Sequence, residues 1–157
     1  METAYFYTPL GITKIIGDEH GITEISIGHD DVAPTGHIPQ ILEKAVVEME
    51  QYFKGIRKDF TFKLNPQGTE FQQKVWTELL KVPFGKTLSY LELSKRLGDV
   101  KAIRAVAAAN GKNPLWIVIP CHRIIGSNGS LTGYAGGLWR KQWLLEHEQE
   151  EKQQTLF

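Results

Sequence analysis

Pro and Gly cluster and the charge sign changes at Asn65-Pro66-Gln67-Gly68, the best domain boundary in this chain, and that boundary limits the folds open to it. Before that point, ITKII (12–16) and ITEISI (22–27) are rich in β-branched residues and flank the turn sequence GDEHG, which predicts a β-hairpin. HDDVAPTGHIP (29–39) reads as a loop. QILEKAVVEMEQYFKG (40–55) then puts Ile41, Leu42, Ala45, Val46, Met49, Tyr52 and Phe53 on one helical stripe, with Gly55 as its stop. DFTFKL (59–64) alternates like a strand. Beyond Gly68 the helical period takes over. TEFQQKVWTELLKV (69–82) buries Phe71, Val75, Trp76, Leu79 and Leu80, with Thr69 as N-cap.

SYLELSKRLG (89–98) opens with the Ser-x-x-Glu spacing of a capping box and stops at Gly98. DVKAIRAVAAANG (99–111) restarts at once on Asp99 and ends at Gly111, the outline of a helix-turn-helix. LWIVI (115–119) reads as a short strand ended by Pro120, and GSNGSLTGYAGG (126–137) as a glycine-rich loop. LWRKQWLLEHEQE (138–150) is a last helix with Leu138, Trp143, Leu144 and Leu145 toward the core. The fold class expected is α+β. An N-terminal α/β domain (1–65) precedes a mostly helical domain (66–150) and a fraying tail (151–157).

Length and charge narrow the function. A chain of 157 residues can bury a real core in one or two small domains. No apolar run approaches the roughly 20 residues of a membrane span. The N-terminus lacks the basic-then-apolar pattern of a signal peptide. The net charge is zero, but residues 1–65 carry six basic and ten acidic side chains, a net of −4. Residues 66–148 carry eleven basic and six acidic, a net of +5, a hint of an anionic partner for the second half. The single cysteine cannot form an intrachain disulfide and suits a reducing, cytoplasmic setting. Five histidines and one cysteine show no metal-ligand spacing, so no metal is expected.

Four stretches could carry chemistry. Around Arg104, Ala105, Ala107, Ala108 and Ala109 make a helix face almost without bulk. It is either a tightly packed helix or one that presses its backbone against a narrow groove with little base readout. Cys121 lies in IVIPCHRIIG (117–126), between Pro120 and the basic pair His122-Arg123. It reads either as a small core residue or as a nucleophile whose basic neighbours favour the thiolate. A direct Cys–His contact then needs a turn, which Pro120 allows, or a bridging water. TGYAGG could present backbone N–H groups to an oxyanion, and Glu146 or Glu148 could orient His122.

Taken together these residues resemble the O6-alkylguanine-DNA alkyltransferases (methylated-DNA–protein-cysteine methyltransferases). The match rests on NPLWIVIPCHRIIGSNGSLTGYAGGLWRKQWLLEHE (113–148), and extends upstream through GTEFQQKVWTELLKVPFGKTLSYLELSKRLG and KAIRAVAAANGKN. It covers 66–148 strongly. The N-terminal half looks like the family's variable domain, RNase H-like in fold, and the second half like its winged-helix or helix-turn-helix domain. The resemblance implies that Cys121 irreversibly accepts an alkyl group from guanine O6 (less well from thymine O4) in duplex DNA, one turnover per molecule. His122 would act through a water as the base, oriented by Glu148. Arg104 would enter the base stack as the damaged nucleotide flips out, and Tyr90 would assist the leaving guanine. The helix bearing Ala107 and Ala108 would lie in the minor groove. Asn113 would tie the turn before the active-site strand, Tyr134 would wall the pocket, and Ala135 and Gly136 would close over the base.

Some members carry Ser where this chain has Ala135, which keeps the backbone N–H but removes a hydroxyl. Zinc-binding members use N-terminal cysteines absent here, so no structural zinc is expected. No cofactor is implied, and the protein should be a monomer without membrane association. Three other readings compete. A non-catalytic lesion binder would lack Cys121. A helix-turn-helix regulator would want polar recognition residues in place of AVAAAN. A cysteine hydrolase would want a distant histidine.

Overall fold

The computed structural model describes residues 1–129, 134 and 136–154. They form an α+β protein of two compact units, Met1–Gln67 with Pro114–Trp116, and Gly68–Asn113 with the chain from Ile117 onward.

The first unit is a three-stranded antiparallel meander, β1 (Glu2–Thr8), β2 (Gly11–Asp18) and β3 (Gly21–Ile27), packed against α1 (Gln40–Phe53). The expected hairpin is β2–β3, with Ile15 opposite Ile25. Strand β1 was not anticipated. Its signal is the alternation of ETAYFYT, which turns Ala4 and Phe6 inward and leaves Tyr7 exposed. Helix α1 buries Leu42, Ala45, Val46, Met49 and Tyr52, while Ile41 flanks the stripe and is 42% exposed.

DFTFKL is not a strand. Only Leu64 bridges to Ile22, through Ile22 N–H to Lys63 O (2.9 Å) and Asn65 N–H to Ile22 O (2.8 Å). The rest is held by side chains. The buried Glu48 carboxylate accepts from the Thr61 N–H (2.7 Å) and hydroxyl (2.5 Å), and Phe60 packs between Tyr52 and Phe62.

The second unit begins at Gly68, where a Cβ would strike the Trp76 ring, so the residue must be glycine. Thr69 and Gln72 form a capping box at the start of α2 (Glu70–Leu79). Val75, Trp76 and Leu79 are buried, but Phe71 and Leu80 are 39% and 47% exposed, off the buried face. The Trp76 indole N–H donates to Ala109 O (2.9 Å), fastening α2 to α4 (Ile103–Gly111). Between them Ser89 and Glu92 cap α3 (Tyr90–Arg96). After Gly98, with φ +89°, Asp99 caps a 3₁₀ turn, Val100–Ala102, that leads into α4.

Two dipeptides pair in parallel, β4 (Leu88–Ser89) and β5 (Ile124–Ile125). This pairing sets the start of α3 beside the residues that follow Cys121. Helix α5 (Leu138–Gln154) packs on the same segment and includes four residues of the expected tail. Leu144 is fully buried, but Leu138 is 50% exposed.

LWIVI is not a strand either. Leu115 bridges to Ile25 in the first unit, where Ile25 N–H donates to Pro114 O (2.8 Å) and Trp116 N–H to Ile25 O (3.0 Å). Ile117 then turns the chain at φ 70°, a conformation β-branched residues rarely adopt. All five side chains are buried, so the run is apolar because it is core, although it is irregular.

Candidate active site

Cys121, His122 and Arg123 occupy one 3₁₀ turn, which replaces the strand end expected there. Cys121 N–H donates to Ile119 O (2.8 Å) and Arg123 N–H to Pro120 O (3.0 Å). Pro120 supplies the turn, so the consecutive side chains need not point to opposite faces. The Asn113 amide also donates to Ile119 O (2.7 Å), securing the bend ahead of the cysteine from the end of α4.

The turn faces α5. His122 Nε2 lies 2.7 Å from Glu148 Oε2, and both residues are buried. Arg123 donates from Nε to Glu148 Oε1 (2.8 Å) and from Nη2 to Oε2 (3.0 Å), and its Nη1 donates to Val82 O (2.7 Å). Burial alone would push Glu148 up. The His122 contact and the Arg123 guanidinium outweigh it and hold the carboxyl well below the usual range. An ionised carboxylate only accepts, so His122 Nε2 carries the proton and Nδ1 presents a lone pair. Nδ1 has no hydrogen-bond partner among the described residues. Burial lowers the His122 pKa against the raising effect of Glu148, which keeps the imidazole neutral and able to accept a proton.

Burial pushes the Cys121 thiol up. The Asn113 side chain and the charge of Lys141 pull against it. Arg123, expected from its position in sequence to favour the thiolate, is instead bound to Glu148 and the Val82 carbonyl. The cation acting on the sulfur is Lys141. Sequence reading gave it no role, because a helical lysine ordinarily lies in solvent.

Tyr90 opens α3, brought near by the β4–β5 pair, and the Lys141 Nζ lies 5.9 Å from the centroid of its ring. Tyr134 is half-buried. Gly136 is wedged beside it, since a Cβ there would lie 3.0 Å from the Tyr134 ring and 3.4 Å from Arg140 Cδ. Arg140 Nη1 donates to Gly136 O (2.8 Å). Ala135 falls outside the described residues. Cys121, His122, Glu148, Asn113 and Tyr134 therefore converge.

Arg104, Ala107 and Ala108 are elsewhere, on the exposed side of α4 with Ala105. Ala109 does not share that face. It is buried with Val106 and Asn110 and accepts from Trp76, as its place on the inward-facing stripe requires. Glu146 is solvated and Glu148 is the buried carboxylate, a choice the sequence left open.

His122 and Glu148 both have folded pKa values below their unfolded ones, so each contributes stability that is lost as pH falls. The loss should begin near the ordinary histidine value of 6.5 and continue through the carboxylate range. The unfolding free energy from urea titrations run between pH 8 and pH 5 should fall below that point, by roughly 1.4 kcal/mol per pH unit for each proton taken up on unfolding. A flat profile would contradict a neutral His122.

Known proteins match the chain along both units. Residues 1–66 match the family model described as 6-O-methylguanine DNA methyltransferase, ribonuclease-like domain. Residues 70–150 match that of its DNA binding domain. The methylated-DNA–protein-cysteine methyltransferase of Methanosarcina mazei is 53% identical over 147 residues, covering 90% of this chain and 93% of the relative. That of Methanosarcina acetivorans is 42% identical over 153 residues, covering 94% and 98%. A crystal structure of Mycobacterium tuberculosis OGT in complex with DNA superposes with a TM-score of 0.85 at 39% identity, covering 94% of this chain and 93% of that one. With both domain models and full-length relatives in agreement, the chain belongs to the 6-O-methylguanine DNA methyltransferase family, the methylated-DNA–protein-cysteine methyltransferases.

Proposed function

We propose that this protein repairs DNA by moving an alkyl group from guanine O6, and less well from thymine O4, onto its own Cys121. The observation that carries the reading is the buried His122–Glu148 pair in the same turn as Cys121, with a neutral imidazole whose Nδ1 lone pair is available. The thiol proton passes through a water to His122 Nδ1, and Glu148 steadies the imidazolium through Nε2–H. The thiolate then attacks the alkyl carbon. The S–C bond forms as the C–O6 bond breaks, and the departing electron pair moves into the guanine ring. The Tyr90 hydroxyl supplies the ring proton, and the proton held by His122 restores it, so the thiol proton ends on guanine. The Asn113 side chain stabilises the sulfur anion, and Tyr134 and Gly136 border the base.

The target base must leave the helix to reach a buried sulfur, at a cost of a few kcal/mol that is smallest for a mispaired base. Arg104 fills the gap in the stack. The small exposed residues Ala107 and Ala108 let α4 approach the minor groove, and the net +5 of residues 66–148 attracts the backbone. The similar structure solved in complex with DNA supports DNA as the partner. The domain 66–150 carries this chemistry. The protein acts as a monomer in the cytoplasm. The product is a thioether and the chain has no second cysteine to attack it, so each molecule turns over once.

Mixing increasing amounts of an O6-methylguanine duplex with a fixed amount of protein tests this. Restored guanine should plateau at one per chain, and Arg104→Ala should slow the duplex reaction more than that with free O6-benzylguanine. A plateau well above one, or equal slowing, would contradict single turnover or the stacking role respectively.

A further inference from the structure

Trp139 opens α5 with 56% of its surface exposed, an uncommon place for so large an apolar side chain. Burial does not account for it, but its neighbour does. The Arg140 guanidinium carbon lies over the indole, 4.5 Å from the ring centroid and within cation–π range. Arg140 then reaches back to the glycines ahead of the helix. Its Nη1 donates to Gly136 O (2.8 Å), and its Cδ lies 3.4 Å from the place a Cβ on Gly136 would take. That place is 3.0 Å from the Tyr134 ring. The Gly137 N–H in turn donates to Tyr134 O (2.9 Å). One series of contacts therefore runs from the exposed indole through Arg140 and Gly136 to Tyr134. Gly136 and Gly137 restrict their own backbone little, so a bond from a side chain outside them fixes it. A long arginine holds a fixed point only if it is itself held, and stacking on Trp139 holds it.

We propose that Arg140 is a positioning residue of the alkyl pocket: clamped on the Trp139 ring, it holds the Gly136 carbonyl and with it Tyr134, and so favours small O6 substituents over bulky ones. This rests on the reading that Tyr134 borders the target base. A methyl group fills little of the pocket, so its alignment with the sulfur depends on a wall held in place. A benzyl group fills the space itself and gains from a wall that can yield.

Two measurements test the proposal, the first without DNA. Hydrogen exchange of the Gly137 amide, followed by NMR, should quicken about tenfold in Arg140→Ala and in Trp139→Ala. Trp139→Phe keeps a ring face for the guanidinium and should exchange much as the wild type does. Trp139 is exposed, so its variants should fold even if Arg140→Ala does not. Unchanged exchange in Trp139→Ala overturns the proposal. The second measurement compares transfer from one duplex carrying either O6-methylguanine or O6-benzylguanine. In both alanine variants the benzyl-to-methyl rate ratio should rise about tenfold, whereas a general loss of stability would slow both reactions alike. A ratio that stays at the wild-type value overturns the role in specificity. Absence of transfer from either duplex by the wild type would overturn the functional reading and the role in specificity together, while Gly137 exchange judges the brace itself.

Discussion

Cys121→Ala takes up no alkyl group from an O6-methylguanine duplex, yet binds that duplex about as well as the wild type. The chain has one cysteine, and the site offers no other soft nucleophile beside His122. Loss of transfer should therefore be complete. Binding should persist because Cys121 is 7% exposed, whereas the net +5 of residues 66–148 and the exposed face of α4 are untouched. Removing one sulfur leaves a small cavity, so the variant should stay folded. Gel-shift affinity alongside guanine recovery separates the two effects. Transfer retained by Cys121→Ala would place the chemistry on another residue.

Glu148→Ala has the largest expected effect on stability, about 3–5 kcal/mol, read as the shift in urea midpoint at constant m-value. It strands the Arg123 guanidinium, which is 6% exposed, and removes the acceptor of His122, which is 0% exposed. Glu148→Gln keeps an acceptor of the same shape and should destabilise less, but it no longer imposes the Nε2–H tautomer. Its alkyl transfer should slow even where the protein is folded. A stability loss below about 1 kcal/mol in Glu148→Ala would mean that the Arg123–Glu148–His122 cluster does not hold the two segments together.

The parts legible in the sequence are those specified locally. Thr69 with Gln72 and Ser89 with Glu92 are capping boxes because side chain and backbone meet within one turn. The β2–β3 hairpin follows from β-branched runs around a turn. What escaped depends on partners distant in the chain. LWIVI and DFTFKL have the composition of strands, but they are irregular segments whose backbone bonds go to Ile25 and Ile22 and to the Glu48 carboxylate. Arg123 beside Cys121 reads as the thiol's cation until Glu148, 25 residues on, claims it. Lys141 lies on a polar-looking helix, and only the packing of α5 on the 3₁₀ turn buries it. Cys121, His122 and a carboxylate of Glu146-His147-Glu148 stand out in the sequence by residue type, and the family likeness singles out Glu148, while their geometry comes from the fold.

The most direct test of the central claim is intact-protein mass spectrometry after incubation with duplex DNA containing O6-methylguanine, followed by peptide mapping. The account predicts a gain of one methylene unit, stopping at one per chain and located on the peptide that contains Cys121. No gain despite tight lesion binding, or a gain on any other peptide, would contradict it.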